Sequence, residues 1–281
     1  MNSEETWVIP TEELVIGSTL SFDLNDAQGV VLHKAGMPIS QRLIDRLQKK
    51  SIHSVTVKGR AREVPSLASM LLSYFDSATI EAVNRTLTGS EHALSSFATS
   101  LREGNGSDIT ELKDNINQFI DVAKKGSLAA LAVLASRSKS TSPDIVAMLS
   151  SRSTRMALMG VIVGCLMDCS DDECVEIGMV GLLHDSSLLV HPEWFDEGRL
   201  SSNDQALTEF RHHPIESAEL LSGVQGLNEQ VLQAIAQVHE QSDGSGYPHG
   251  LWGSQIQSPA SIMNAVDAYL NLIRLDERQL T

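Results

Sequence analysis

Apolar positions recur at helical intervals over most of this chain and at strand-like intervals only near its start. Short apolar runs at 14–22, 30–33 and 52–57 read as strands. Asn25-Asp26-Ala27-Gln28-Gly29 carries turn chemistry between the first two, and Lys34-Ala35-Gly36-Met37-Pro38 supplies a second turn. Ser40 can cap a short helix over 41–50 that puts Leu43, Ile44 and Leu47 on one face. Together these make a small α+β unit ending near Gly59 and Arg60.

From Pro65 onward the period is helical. The pattern predicts helices over 67–87, from Asp108 as a cap to about 125, and then over about 144–168, 172–185, 205–221, 228–241 and 259–276. Thr88-Gly89-Ser90 and Glu103-Gly104-Asn105-Gly106-Ser107 read as breaks, and 136–143 (SRSKSTSP) is the most linker-like segment. The expected fold class is mainly α, a helical bundle preceded by a small α+β N-terminal domain. The expected division is 1–64, a helical connecting region over 65–135, and a helical domain over 144–281.

Composition narrows the function classes. Aromatics are 4% of 281 residues, so Leu, Ile, Val, Met and Ala must fill the core. With 21 Lys and Arg against 36 Asp and Glu, the net charge is −15. A surface this acidic offers no general footprint for nucleic acid or an anionic membrane. An anionic ligand would need a local device: a metal, an arginine or a helix N-terminus. The longest apolar run, 156–167, falls well short of the ~20 residues a bilayer requires. The first residues carry acid rather than base, so no signal peptide is read and a cytoplasmic location is expected. Cys165, Cys169 and Cys174 suit a reducing compartment. Cys165 and Cys169 are four apart at helical spacing, but a structural zinc site wants four ligands and no nearby His completes it, so the three read as buried thiols rather than a metal site.

Polar groups interrupt the apolar helices at four places. His184 and Asp185 follow the apolar run 177–183, and His213 opens HHPIESAELL. His239 and Glu240 close the helix predicted over 228–241, and Asp267 sits inside the apolar SIMNAVDAYLNL. Taken singly, each fits a hydrogen-bonded core group. Taken together, His184, His213, His239 and Asp267 are spaced by 29, 26 and 28 residues, about one helix and its connection each. Helices of a bundle can aim such residues at one point. Imidazole with carboxylate suits iron, manganese or zinc, and an Asp beside a His can bridge two ions. Directly afterwards comes Asp243-Gly244-Ser245-Gly246-Tyr247-Pro248, whose glycines permit positive φ and close backbone approach to a ligand; a plain interhelical loop has the same composition. His212 would point ~100° away from His213 on a helix. His33, His53, His92, His191 and His249 read as loop or surface residues.

In this order, over about 144–273, His184-Asp185, His213-Pro214, His239-Glu240 with the loop at 243–248, and Ala265-Val266-Asp267-Ala268-Tyr269 resemble the HD-GYP family. Its members are bacterial metal-dependent phosphodiesterases that open cyclic di-GMP. The resemblance implies an HD-type helical bundle with His184, Asp185, His213, His239 and Asp267 as metal ligands. Asp185 would bridge the ions at the catalytic centre. It implies a divalent transition metal (Fe or Mn, or else Zn), and a loop of Asp243, Gly244, Gly246, Tyr247 and Pro248 that faces ligand or partner. Cyclic di-GMP or a related nucleotide would be the ligand, and a diguanylate cyclase or other signalling protein the partner. The N-terminal unit also looks like the small domain that often precedes HD-GYP domains.

Three positions depart from the family pattern. Arg152, in Arg152-Ser153-Thr154-Arg155-Met156-Ala157, stands where the pattern has its first metal-binding histidine, and a guanidinium stays protonated and cannot ligate. Leu188 replaces a lysine, and Val238 replaces the first of two histidines before the glutamate. If Arg152 points into the old metal pocket, it can pair with Asp185 or Asp267 and stand in for a cation; a local shift of register would instead leave it on the surface. The expected function is a degenerate HD-GYP protein with an incomplete metal site, acting mainly as a nucleotide- or partner-binding module. An active metal-dependent cyclic di-GMP phosphodiesterase working with fewer ligands is the alternative.

Overall fold

The computed structural model describes the chain outside residues 1–4, 12–13, 15–22, 27, 36, 38, 51, 60–71, 73, 105–107, 137–143, 195–203 and 280–281, with side chains described outside 5–10, 57–59, 204 and 272–279 as well. It divides into two compact units, Met1–Glu81 with Leu131–Arg137, and Ala82–Ala130 with Ser138–Thr281. The architecture is mainly α, with a small α+β unit at the start.

In the first unit four strands form an antiparallel sheet in the order β1-β4-β2-β3: β1 Glu5–Pro10, β2 Leu24–Asn25, β3 Val31–His33 and β4 Ser54–Gly59. The helix α1, Gln41–Lys49, begins at Ser40, whose hydroxyl accepts from the Leu43 N–H at 3.2 Å. Leu43 and Leu47 from α1 join Leu14, Leu24, Ile39 and Val55 in a buried cluster. Asp26 makes the turn after β2 by accepting from the N–H groups of Gln28 and Val30. The strand expected over 14–22 lies outside the described residues except for Leu14, which is in no strand. β1 was not expected; among the described residues it is an edge strand paired with β4, and Pro10 at its end has no N–H to donate.

The second unit is helical. Its elements are α2 Ser77–Arg102, α3 Thr110–Ser136, α4 Ile145–Leu166, α5 Asp171–Leu183, α6 Ser186–Val190, α7 Asp204–Phe210, α8 His213–Leu221, α9 Glu229–Gln237 and α10 Ser258–Gln279, with α2 and α3 each reaching into the first unit. Capping groups mark several starts. Asp144 accepts from the Val146 N–H, Asn228 from the Val231 N–H, and Ser170 with Glu173 forms a reciprocal capping box.

Several boundaries differ from expectation. Thr88-Gly89-Ser90 does not break the chain: α2 runs through it, because Ser90 is fully buried on the helix's packed face. The start of the helix expected at 67 lies outside the described residues; α2 begins at Ser77 behind Asp76, which accepts from the Thr79 N–H. α3 passes the expected end near 125 but is non-helical at Gly126. The linker at 137–143 and the loop at 105–107 lie outside the described residues. The single helix expected over 205–221 is two, since Pro214 sits in the first turn of α8 and cannot continue a helix from behind. α4 ends at Leu166, so Cys169 is in the turn before α5; Cys174 is buried and the other two cysteines are half-buried.

α4, although longer than its apolar run, satisfies the length and composition of a membrane span, and 61% of that window is buried within the protein. Its apolarity serves packing. α4 and α5 approach closely through small residues: a Cβ on Gly181 would lie 2.7 Å from Ala157 Cα and 2.9 Å from Ala157 N. Both are backbone atoms and cannot swing aside. Gly181→Ala is therefore expected to destabilise the protein by about 2–3 kcal/mol, at the upper end of overpacking penalties, read as a lower urea midpoint at unchanged slope.

Candidate metal centre

α5 delivers the first two candidate groups. His184 is its C-cap, and its Nδ1 lies 2.9 Å from the Gly181 carbonyl. A carbonyl only accepts, so Nδ1 carries a proton, and Nε2 faces Asp185 Oδ2 at 3.2 Å. Asp185 follows at the start of α6 and is 1% exposed. Ser187 ties α6 to α8: its N–H donates to Ser217 Oγ and its hydroxyl to the His213 carbonyl. Nothing in the sequence pattern marked this serine pair.

His213 opens α8 with its Nδ1 2.8 Å from the Phe210 carbonyl, so Nδ1 carries a proton and Nε2 points into the cluster. That nitrogen lies 3.3 Å from Asp185 Oδ1 and 3.2 Å from His239 Nε2. His239 comes just past α9 rather than on it. Its Nδ1 is 3.9 Å from Asp267 Oδ2. Asp267 is on α10, and Arg152 on α4 reaches both acids: Nη1 is 3.4 Å from Asp185 Oδ2, and Nη2 donates to Asp267 Oδ1. Thus His184, Asp185, His213, His239 and Asp267 converge, and Arg152 stands among them. Leu188 and Val238 are buried apolar residues, 2% and 0% exposed, and His212 is exposed.

The electrostatics follow from this crowding. Burial works against ionising Asp185, but His184, His213 and Arg152 outweigh it and hold the carboxyl well below the usual range. Burial, helped by the neighbouring His213 and His184, keeps His239 well below the usual imidazole range and hence neutral. Burial opposes the charge on Arg152, but Asp267 and Asp185 more than restore it.

Asp185, His213 and His239 place one ligand atom each within 4.8 Å of one another. Asp185 Oδ1 and His184 Nε2 are buried without a hydrogen-bond partner. Two donors ~2.1 Å from a shared ion stand roughly 3.2 Å apart at a bond angle near 100°, which matches the gap between His213 Nε2 and His239 Nε2. These three residues fit a divalent ion. Between Asp185 and Asp267 the fit fails, because the Arg152 guanidinium already spans the two carboxylates.

The glycine-rich loop closes one side. Tyr247 stacks on His239, ring centroids 4.9 Å apart and 20° from parallel, and its N–H donates to the His239 carbonyl. Burial and the two nearby aspartates push its hydroxyl well above the usual tyrosine range, so it stays protonated. Gly246 has no room for a side chain: a Cβ would lie 2.2 Å from Gln241 N. Gly244, at φ +76°, lies under the Trp252 indole. Pro248 ends the loop half-buried, and Asp243, exposed, accepts from the Ser245 N–H and hydroxyl and shapes the turn. The residue that sequence reasoning passed over is Glu240. It is 1% exposed, and its two oxygens accept from the N–H groups of His249 at 2.6 Å and Leu251 at 2.8 Å. A glutamate at a helix end before a Gly- and Pro-rich loop was the available signal.

The family model for the HD domain matches residues 138–281, just over half of the chain. The chain is 34% identical over 118 residues to the cyclic di-GMP phosphodiesterase response regulator RpfG of Xanthomonas campestris, covering 41% of this chain and 31% of that protein. It is 27% identical over 121 residues to the cyclic di-GMP phosphodiesterase PdeB of Borreliella burgdorferi, covering 43% and 32%. The chain thus spans about a third of the length of these curated relatives. Among solved structures it is similar to an HDG"Y"P protein from Bdellovibrio bacteriovorus, with a TM-score of 0.47 at 16% identity, over 96% of this chain and 88% of that one. With the domain matched over half its length, the chain belongs to the HD domain family.

Proposed function

We propose that this chain is a degenerate HD-GYP protein of cyclic di-GMP signalling that acts mainly as a nucleotide- or partner-binding module. The observation that carries the proposal is the Arg152 guanidinium, set between Asp185 and Asp267 where a cation is needed and a metal cannot share the space. The matched relatives RpfG and PdeB, both named cyclic di-GMP phosphodiesterases, support that nucleotide as ligand. The binding domain is 144–281, preceded by a connecting region over 65–135 and an N-terminal domain over 1–64. It works in the cytoplasm, with a diguanylate cyclase or similar signalling protein as partner, and takes neither nucleic acid nor membrane.

One observation favours a second reading, an active phosphodiesterase: Asp185, His213 and His239 still converge as donors. Bound there, a divalent ion (Fe, Mn or Zn) supplies Lewis acidity to a phosphodiester and a lowered pKa to a coordinated water. The chain's own residues would hold the imidazoles in the ligating tautomer through the Gly181 and Phe210 carbonyls and keep Asp185 ionised.

Metal analysis of anaerobically purified protein, with a cyclic di-GMP hydrolysis assay on the same sample, separates the two. At most one ion per chain and no turnover are expected, and Arg152→His with Val238→His should raise the metal content. Two tightly held ions, with hydrolysis abolished by His184→Ala, would overturn the proposal.

A further inference from the structure

A nucleotide phosphodiester is an anion, and this chain carries net charge −15. Within the pocket Arg152 is already committed to two carboxylates, and Leu188, where the family pattern has a lysine, is buried and uncharged. With those two positions spent, an uncommitted arginine at the edge of the pocket is a direct means of meeting the phosphate. Arg211 lies in the turn between α7 and α8, two residues before His213, and its side chain is exposed. Its Cζ is 5.6 Å from the centre of the Tyr247 ring, the same ring that stacks on His239. Among the described residues it forms no ion pair with a carboxylate.

We infer that Arg211 is a phosphate-binding residue of this pocket, held at its rim by Tyr247 to take a phosphodiester oxygen of the ligand; this rests on the nucleotide-binding function proposed above. The physical basis is the way a guanidinium divides its chemistry. Its flat face binds an aromatic ring, and its edge keeps N–H donors for phosphate oxygens. A ring contact also limits the rotamers that a free arginine would lose on binding, so less entropy opposes the contact. Backbone anchoring adds to this, since the Arg211 N–H donates to the Leu207 carbonyl at 3.1 Å. Arg211, Tyr247 and His239 therefore form a continuous stack from the solvent edge to the candidate metal donors. Arg152 would serve the interior as a fixed countercharge, while Arg211 serves the incoming anion.

Calorimetric titration of the full chain with cyclic di-GMP tests this, using wild type, Arg211→Ala and Arg211→Lys at several salt concentrations. Arg211→Ala should weaken binding about tenfold or more, and the affinity should become less sensitive to salt. Arg211→Lys should keep the salt sensitivity yet recover only part of the affinity, since an ammonium lacks the planar fork. All three proteins should melt at the same temperature, because the side chain is exposed. Equal affinity and equal salt sensitivity in wild type and Arg211→Ala would overturn the assignment and leave the proposed function standing. Absence of cyclic di-GMP binding by the wild type would overturn the proposed function itself, and the role of Arg211 with it.

Discussion

Replacing Arg152 by methionine should lower folding stability by about 3–5 kcal/mol, the usual penalty for stripping one partner from a buried ion pair. The size follows from what stays behind. Asp185 is 1% exposed, and removing the guanidinium leaves it and Asp267 without the cation that offsets their charges. Methionine matches the length of the stem and so isolates the charge. Urea unfolding measures the loss. Manganese or zinc should recover part of it in the variant, by about 2.7 kcal/mol at a concentration 100 times the dissociation constant, because a divalent ion can then enter the vacated position. Stability in acid gives a second reading. Folding holds the Asp185 carboxyl below its unfolded value of ~3.9, so its contribution is full above that pH and is lost as the pH falls through the lower folded value. Removing Arg152 raises the folded value, and the variant should show a shallower loss of stability as the pH falls below the unfolded value. A variant as stable as wild type would mean that Arg152 does not compensate these acids.

The second large effect is expected at Glu240. Glu240→Ala removes the acceptor for two backbone N–H groups and empties a buried site. Charge-assisted hydrogen bonds contribute about 1.5–3 kcal/mol each, partly offset by no longer burying the carboxylate, for a net loss of about 2–4 kcal/mol. Glu240→Gln keeps one acceptor oxygen and should lose roughly half as much. Because this carboxylate staples the loop that carries Tyr247, amide exchange at His249 and Leu251 should accelerate well beyond the change in global stability. Exchange unchanged at these two amides would show that the loop is held by something else.

Much of the fold could be read because local signals and tertiary packing agree. The apolar periods starting near 144, 172 and 228 predict helices, and the caps Asp144, Ser170 with Glu173, and Asn228 start them within two residues of those points. Where the two disagreed, packing prevailed. Thr88-Gly89-Ser90 has loop chemistry, but its serine is buried against the bundle and the helix continues. In the segment 205–221 the proline was visible and its consequence underweighted: a helix seldom crosses a His-Pro step unbroken. The site residues were legible as residue types at helix-length spacing, since a charged group inside an apolar helix needs a reason. The direction of Arg152 was not, because a guanidinium on α4 could equally have faced solvent, and only the positions of α5 and α10 decide it. Glu240 and the Ser187–Ser217 link were hidden for a related reason: their partners are backbone groups and hydroxyls far along the chain.

The guanidinium between Asp185 and Asp267 is a positive charge made by the ribosome rather than drawn from a cellular pool. It cannot be chelated, exchanged or oxidised, and it stays charged at any physiological pH. The charge balance between these two carboxylates is thereby independent of which metal ions a cell has at hand.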